Sequence, residues 1–425
     1  MRIRSLKLER FRGARSLRLD LDERLNVFVG VNGAGKSTIL DAAAILLSWF
    51  MNRIKQSGAS GRPIVEADIA NGEASANLEI AMEHSGVSFG WNVARVRRGR
   101  ERKEIASVLT SASEAANRIR AEISETEGRC NLPLFVYYPV NRAVLDIPLR
   151  IRSRHRFDLL SAYDESLTGA ANFRTFFEWF REREDLENEN RRHRESPAES
   201  GESPFPDPQL EAVRRALRSF MPEFANLTVR RSPLRMEVEK NGRRLTVDQL
   251  SDGEKGVMAL IGDLARRMSI ANPLLDEPLE GEGVVLIDEI DLHLHPLWQR
   301  MVVSGMTEIF PNCQFMISTH SPHVVTHVRP EHLFLMSMTD EGLEAARAEE
   351  SYGKTVERVL EDLMGLPTTR PDEVKERILE VYRRIDEGDL DTARESISDL
   401  ESSIGKDPEL LKARVLIRRK ELVGK

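Results

Sequence analysis

Apolar and polar positions alternate with period two at the start of the chain. Leu6 and Leu8 form one set and Leu17, Leu19 and Leu21 another, separated by Arg10-Phe11-Arg12-Gly13. Side chains two apart share one face of a strand, so residues 1–30 read as strands broken by a turn. Leu25, Val27, Phe28 and Val29 form a denser apolar run, the pattern of a strand buried on both faces. Residues 36–56 then change to helical spacing, and a Gly/Ser/Pro stretch follows at 57–63. A second alternating block runs from Leu78 to Arg97, with Val87, Phe89, Trp91 and Val93 on one face.

Farther along, residues 102–126 read as a helix rich in Ala, Glu and Arg, and Leu132 to Tyr138 as an apolar run ended by Pro139. Residues 155–190 read as helix, with Phe173, Phe176, Phe177, Trp179 and Phe180 on its core-facing side. Arg181 to Pro208 is a charge run that becomes a Pro- and Ser-rich linker. Asn241-Gly242 predicts a tight hairpin turn. Residues 254–270 and 296–310 read as helices, Val284 to Ile287 and Cys313 to Ile317 as buried strands. Beyond 355 the pattern is helical and charged, with turn signals at Gly365–Pro371, Gly388 and Gly405–Pro408. Strands alternating with helices predict an α/β fold. The expected division is a first unit over 1–345, holding a helical insert and linker at about 155–225, and a helical region over 346–425 suited to binding a partner.

Composition narrows the class. The chain has 425 residues, 40% hydrophobic and 31% charged, as in a soluble globular protein. A net charge of −7 excludes a globally basic nucleic-acid coat but not a local basic groove. Two candidate grooves exist: Arg95, Arg97, Arg98, Arg100, Arg102 and Lys103, and Arg150, Arg152, Arg154, His155 and Arg156. Neither has interleaved aromatics for base stacking. Cys130 and Cys313 lie far apart without metal-type spacing, which fits a reducing cytoplasm. No apolar run approaches the ~18 residues of a membrane span.

Candidate chemistry centres on Gly30-Val31-Asn32-Gly33-Ala34-Gly35-Lys36-Ser37-Thr38, which matches the phosphate-loop pattern G-x-x-x-x-G-K-[ST] between an apolar strand and a helix. Backbone amides of Asn32, Gly33, Ala34 and Gly35 and the helix N-terminus would cradle a polyphosphate. Lys36 would reach its β- and γ-phosphates, the Ser37 hydroxyl would ligate Mg²⁺, and Thr38 completes the motif. The strand ending in Asp288-Glu289 supplies two carboxylates at the sheet edge where that loop opens. Asp288 is expected on Mg²⁺ and Glu289 as general base toward water. His293 and His295 alternate with leucine and proline and lack a third ligand, so both read as structural.

Three further stretches carry a family resemblance. Leu250-Ser251-Asp252-Gly253-Glu254 resembles the Leu-Ser-Gly-Gly-Gln signature of ABC-type ATPases, with the substitutions of RecF/SMC-like members. Ile317-Ser318-Thr319-His320-Ser321-Pro322 resembles their switch histidine segment, and Phe11-Arg12 their aromatic-arginine pair near the nucleotide. The resemblance covers roughly residues 1–340 and implies an α/β ABC-type P-loop ATPase head, a mixed sheet with an antiparallel β lobe, plus the helical insert and a helical C-terminal appendix. It implies that His320 senses the γ-phosphate, that Arg12 lies near the nucleotide, and that Asp291 belongs to the subunit-contact loop. It also implies that Ser251, Gly253 and Glu254 of a second copy close the site. The family's glutamine has no clear counterpart. Tyr137-Tyr138-Pro139-Val140-Asn141-Arg142 occupies its place, with Asn141 as a substitute.

Those words, with Phe176-Phe177-Glu178-Trp179-Phe180-Arg181-Glu182-Arg183-Glu184 and Ile287 to Pro296, resemble the PtuA ATPases of Septu and retron anti-phage systems. The resemblance implies a cytoplasmic ATPase using ATP and Mg²⁺, a head-to-head dimer or higher oligomer, an HNH nuclease partner, and a retron reverse transcriptase with its DNA. Two other functions fit the residues: a RecF-like DNA-repair ATPase, suggested by the arginine clusters, and a nucleotide sensor with negligible turnover, suggested by the altered signature. Asp389-Leu390-Asp391 reads as a helix-helix turn rather than a nuclease site, because no apolar strand precedes it.

Overall fold

The computed structural model describes residues 1–98, 106–140, 157–168, 173–195 and 206–423. They form two compact units, Met1–Lys354 and Thr355–Lys425.

The first unit is built on a six-stranded sheet. Strands β3 (Leu25–Val29), β6 (Leu134–Tyr138), β10 (Gly283–Ile287) and β11 (Cys313–Thr319) are buried along their whole length. The sheet order is β13-β12-β3-β11-β10-β6, in which β12 (Leu333–Thr339) through β6 are parallel and β13 (Gly342–Arg347) is the antiparallel edge. Continuous apolar runs suit parallel strands because helices cover both faces. Helix α1 (Lys36–Lys55) packs on β6, β10 and β11, and α5 (Asp252–Ala271) packs on β6. Tyr138 of β6 reaches Asp263 of α5. By strand alternation Tyr137, Leu286 and Asp288 therefore belong to the opposite, α1-bearing face.

The alternating segments form a separate antiparallel sheet of order β2-β1-β4-β5. Its strands are β1 (Arg2–Phe11), β2 (Ala14–Asp20), β4 (Ser75–His84) and β5 (Val87–Val96). Phe89 and Trp91 of β5 stack with each other and meet Phe50 of α1. The β7 (Phe224–Arg231), β8 (Leu234–Lys240) and β9 (Arg243–Thr246) strands make a third sheet. Asn241 and Gly242 both have positive φ at the β8–β9 turn, as the hairpin signal requires.

Two helix boundaries differ from the sequence reading. Helix α2 spans Thr110–Glu125, because residues 106–108 run beside β5: Val108 donates to the Asn92 side chain and accepts from the Asn92 backbone. The 155–190 stretch is not one helix. Leu159–Tyr163 is a short 3₁₀ turn capped by Asp158, and α3 starts at Phe173 (Phe173–Glu195). Arg267 binds the carbonyls of Ala162 and Asp164 and Tyr163 donates to Pro133, which hold that turn against the body. Phe176, Phe177, Trp179 and Phe180 are fully buried, as a core-facing helix side should be. Beyond the linker, α4 (Pro208–Phe220) packs on α5 and on α6 (Pro296–Ile309). A single turn, α7 (Pro322–Val325), leads to β12.

The second unit opens with a short turn, α8 (Val356–Arg358). Helices α9 (Asp372–Glu387), α10 (Leu390–Ile404) and α11 (Pro408–Val423) then share a core that includes Ile378, Val381, Ile385, Ile397, Leu400 and Leu410. Asp389 caps α10 by accepting from the Thr392 amide, and Asp391 is an exposed first-turn residue paired with Arg394. The D-x-D word is thus a helix start.

Candidate functional site

The carboxyl ends of β3, β10 and β11 lie side by side, since the three strands are parallel and in register. The phosphate loop leaves β3, the acidic pair leaves β10 and His320 leaves β11. One sheet edge therefore gathers residues more than 280 positions apart in sequence.

The loop itself is shaped by backbone conformation. Gly33 and Gly35 adopt φ of 82° and 83°, a region costly for residues with a Cβ. A Cβ on Gly35 would also meet the Leu343 side chain at 2.5 Å, so the β12–β13 hairpin underlies the loop. Helix α1 starts with no side-chain cap and no acidic residue in its first turn, leaving its N-terminal amides and dipole for an external anion. Asn32, Gly33 and Ser37 are exposed, while Lys36 is buried.

The Lys36 ammonium donates to the Gly30 and Val31 carbonyls at 2.9 and 3.1 Å and lies 3.5 Å from Nδ1 of His320. Burial pulls its pKa down, against the opposing pull of Asp288, Glu289 and Asp291. The same carboxylates act on His320. Its pKa is lowered by burial and then by Lys36, which favours the neutral imidazole. With Nδ1 facing the ammonium, the proton belongs on Nε2, which faces Glu289 Oε1 at 3.9 Å.

Asp288 is almost fully buried and its amide donates to the Tyr138 carbonyl. Its Oδ1 accepts from the Ser318 hydroxyl. Glu289 turns out of the strand at φ 47°, and its amide donates to Ser318 Oγ at 2.8 Å. Asp291 Oδ1 accepts from Thr319 Oγ1 at 2.5 Å and from the His320 amide at 3.4 Å. Ser318 and Thr319 were not singled out by sequence. Their signal was a run of hydroxyl residues at a strand end, directly before the histidine.

Arg12 lies beside the second turn of α1. It pairs with Asp41 at 2.7 Å and Asp68 at 3.0 Å, and stacks over Phe11. Arg62 takes the other Asp41 oxygen. Sequence reasoning did not find these two acids, because neither sits in a motif.

The signature segment has local partners. Ser251 caps α5 and closes a box with Glu254, whose carboxylate also meets Lys240. A Cβ on Gly253 would lie 2.4 Å from the His293 carbonyl, so only glycine fits where α5 abuts the loop after Asp291. His295 caps α6 through Nδ1. Among the described residues no group of three or more His, Cys, Asp or Glu could hold a metal ion alone. That donor set does not exclude Mg²⁺ at Ser37 and Asp288, which takes one or two protein oxygens plus phosphate and water. The uncapped helix, buried ammonium and adjacent carboxylates fit a Mg²⁺-nucleotide.

Of the arginine clusters, Arg97 is committed to the Glu73 and Ile69 carbonyls, whereas Arg98 is exposed. Arg100, Arg102, Lys103, residues 150–156, Asn141 and Arg142 lie outside the described residues.

A family model described as AAA domain, putative AbiEii toxin, Type IV TA system matches residues 102–326, and one described as AAA ATPase domain matches 1–129. Retron Ec83 probable ATPase of Escherichia coli is 30% identical over 97% of this chain and 85% of its own length. Septu protein PtuA of Bacillus thuringiensis is 23% identical over 91% of this chain and 89% of its own length. A solved SMC head bound to the C-terminal winged-helix domain of ScpA aligns over 81% of this chain and 98% of its own, with 14% identity and a TM-score of 0.48. The chain belongs to the family of the retron probable ATPases and matches the AAA domain model over more than half of its length.

Proposed function

We propose that this chain hydrolyses ATP at a site completed by a second copy, as the ATPase and regulatory subunit of an anti-phage defence assembly. The observation that carries the reading is the convergence of Lys36, Asp288, Glu289 and His320 on one sheet edge.

Bound Mg²⁺-ATP supplies the scissile phosphoanhydride and the divalent charge. The amides of Asn32, Gly33 and Gly35, with Thr38 behind them, hold the phosphates, the Ala34 amide closes the loop on the Val31 carbonyl, and Lys36 exchanges its loop carbonyls for phosphate oxygens. Ser37 and Asp288 hold the metal. Glu289 accepts a proton from the attacking water, and neutral His320 donates through Nε2 toward the γ-phosphate. Arg12 tethers α1 to the β lobe beside this site. Ser251, Gly253 and Glu254 of the second copy supply another helix N-terminus opposite the γ-phosphate.

The names of the relatives support placing the chain in a Septu- or retron-type assembly. The compact Thr355–Lys425 unit is the proposed contact for a separate HNH nuclease, or for a reverse transcriptase with its DNA. The test of the chemistry is ATP turnover by wild type and Glu289→Gln. Wild-type hydrolysis with loss in the variant supports the reading. Equal inertness of both, with ATP still bound, sinks it.

A further inference from the structure

We propose that Ser318 is a positioning residue for hydrolysis, setting the orientation of both acids at once. The inference rests on the ATPase reading above and deepens it.

Strand β11 runs in register with β10 up to the Ile287–Ile317 pair. One residue beyond Asp288, whose amide still bonds β6, the chain leaves the sheet, because Glu289 takes a left-handed conformation at φ 47°. Such a conformation is strained for a residue with a Cβ and persists only when neighbours fix it. Ser318 is the neighbour that does so. Its carbonyl accepts from the Ile290 amide at 3.0 Å. Its hydroxyl accepts from the Glu289 amide at 2.8 Å and donates to Asp288 Oδ1.

A buried hydroxyl needs hydrogen-bond partners wherever it sits. Ser318 is fully buried, and both of its hydroxyl's partners belong to the acidic pair. One hydroxyl thus fixes the rotamer of the metal-side carboxylate and the backbone that aims the base. On the opposite side, Asp291 Oδ1 binds Thr319 Oγ1 and the His320 amide. The β10 and β11 termini are therefore stapled twice, and Glu289 and His320 keep their mutual distance. Without Ser318 Oγ this bond to the Glu289 amide and the one to Asp288 are lost, while the phosphate loop, built on β3 and α1, keeps its own bonds.

The experiment measures kcat, KM and Kd for ATP with MgCl₂ in wild type, Ser318→Ala, Ser318→Cys and Glu289→Gln, each checked by thermal melting. Cysteine keeps the volume but is a weak donor and acceptor, so it separates hydrogen bonding from packing. The expected result is a kcat lowered on the order of 10- to 100-fold in both Ser318 variants, with Kd for ATP within about threefold of wild type. The MgCl₂ concentration for half-maximal rate should rise. A kcat within twofold of wild type in both variants, while Glu289→Gln is inert, overturns the role of Ser318 and leaves the ATPase reading standing. Parallel loss of ATP binding and melting temperature in both Ser318 variants makes the residue merely structural and also overturns it. A wild type without turnover overturns the ATPase reading itself, and with it the positioning role.

Discussion

Glu289 Oε1 stands 3.9 Å from His320 Nε2, across the ends of adjacent parallel strands. Both side chains are partly exposed, at 31% and 28%, so water can enter between them and the nucleotide loop. Replacing Glu289 with Gln keeps the shape but removes the proton acceptor. Turnover should fall on the order of 10²- to 10⁴-fold with ATP affinity retained. A steady-state assay at saturating ATP checks this.

The same pair gives a pH prediction. Burial, then Lys36, holds the His320 pKa below 6.5. Below that value the unfolded imidazole binds more proton than the folded one, so this residue subtracts stability as pH falls. His320→Gln should therefore lose less stability than wild type between roughly pH 7.5 and 5.5. Denaturant melts at both pH values test it. In Lys36→Ala the imidazole titration, followed by NMR, should move upward, since the ammonium 3.5 Å away is gone.

Gly35→Ala is expected to abolish ATP binding. Alanine must adopt a backbone φ of 83°, and its methyl would lie 2.5 Å from the Leu343 side chain. Adding Leu343→Ala relieves the collision but not the backbone strain of about 1–2 kcal/mol, so binding should return only in part. Calorimetry with ATP and Mg²⁺ reads the difference.

A composite site can be complemented. Lys36→Ala spoils the phosphate loop and Ser251→Arg spoils the opposing helix start, so each alone should be nearly inactive. Mixed together, they form some pairs with one intact site, and activity up to about a quarter of wild type should return. No recovery, with mixed oligomers verified by mass, counts against two copies sharing a site.

Asp263 on α5 is fully buried between Arg266 and Arg267 and accepts from Tyr138. Burial alone would raise its carboxyl pKa, but the two arginines outweigh it and hold it down at about 2. The stabilisation is present above pH 3.8 and is lost as pH falls toward 2. Asp263→Asn leaves buried guanidinium charge without its partner and should cost about 3–5 kcal/mol. Urea unfolding at neutral pH measures it.

Much of this site was legible in the chain. The phosphate loop and the strand ending in Asp288-Glu289 are local patterns, because a glycine turn, a helix start and an all-apolar strand are each specified within about ten residues. The core role of Phe176, Phe177, Trp179 and Phe180 was legible for the same reason. The antiparallel edge hairpin of β12 and β13 was not read. Its burial alternates weakly, and its place comes from pairing with β3 some 300 residues earlier. Likewise nothing near Arg12 announces Asp41 and Asp68, and nothing in a short run of hydroxyl residues tells which one faces the acids. Sequence determined which residues can do the chemistry, since backbone propensity and side-chain type are local. Only the tertiary structure decided that Lys36, Asp288, Glu289, Ser318 and His320 meet, because that depends on strand order and register, which long-range hydrogen bonding sets.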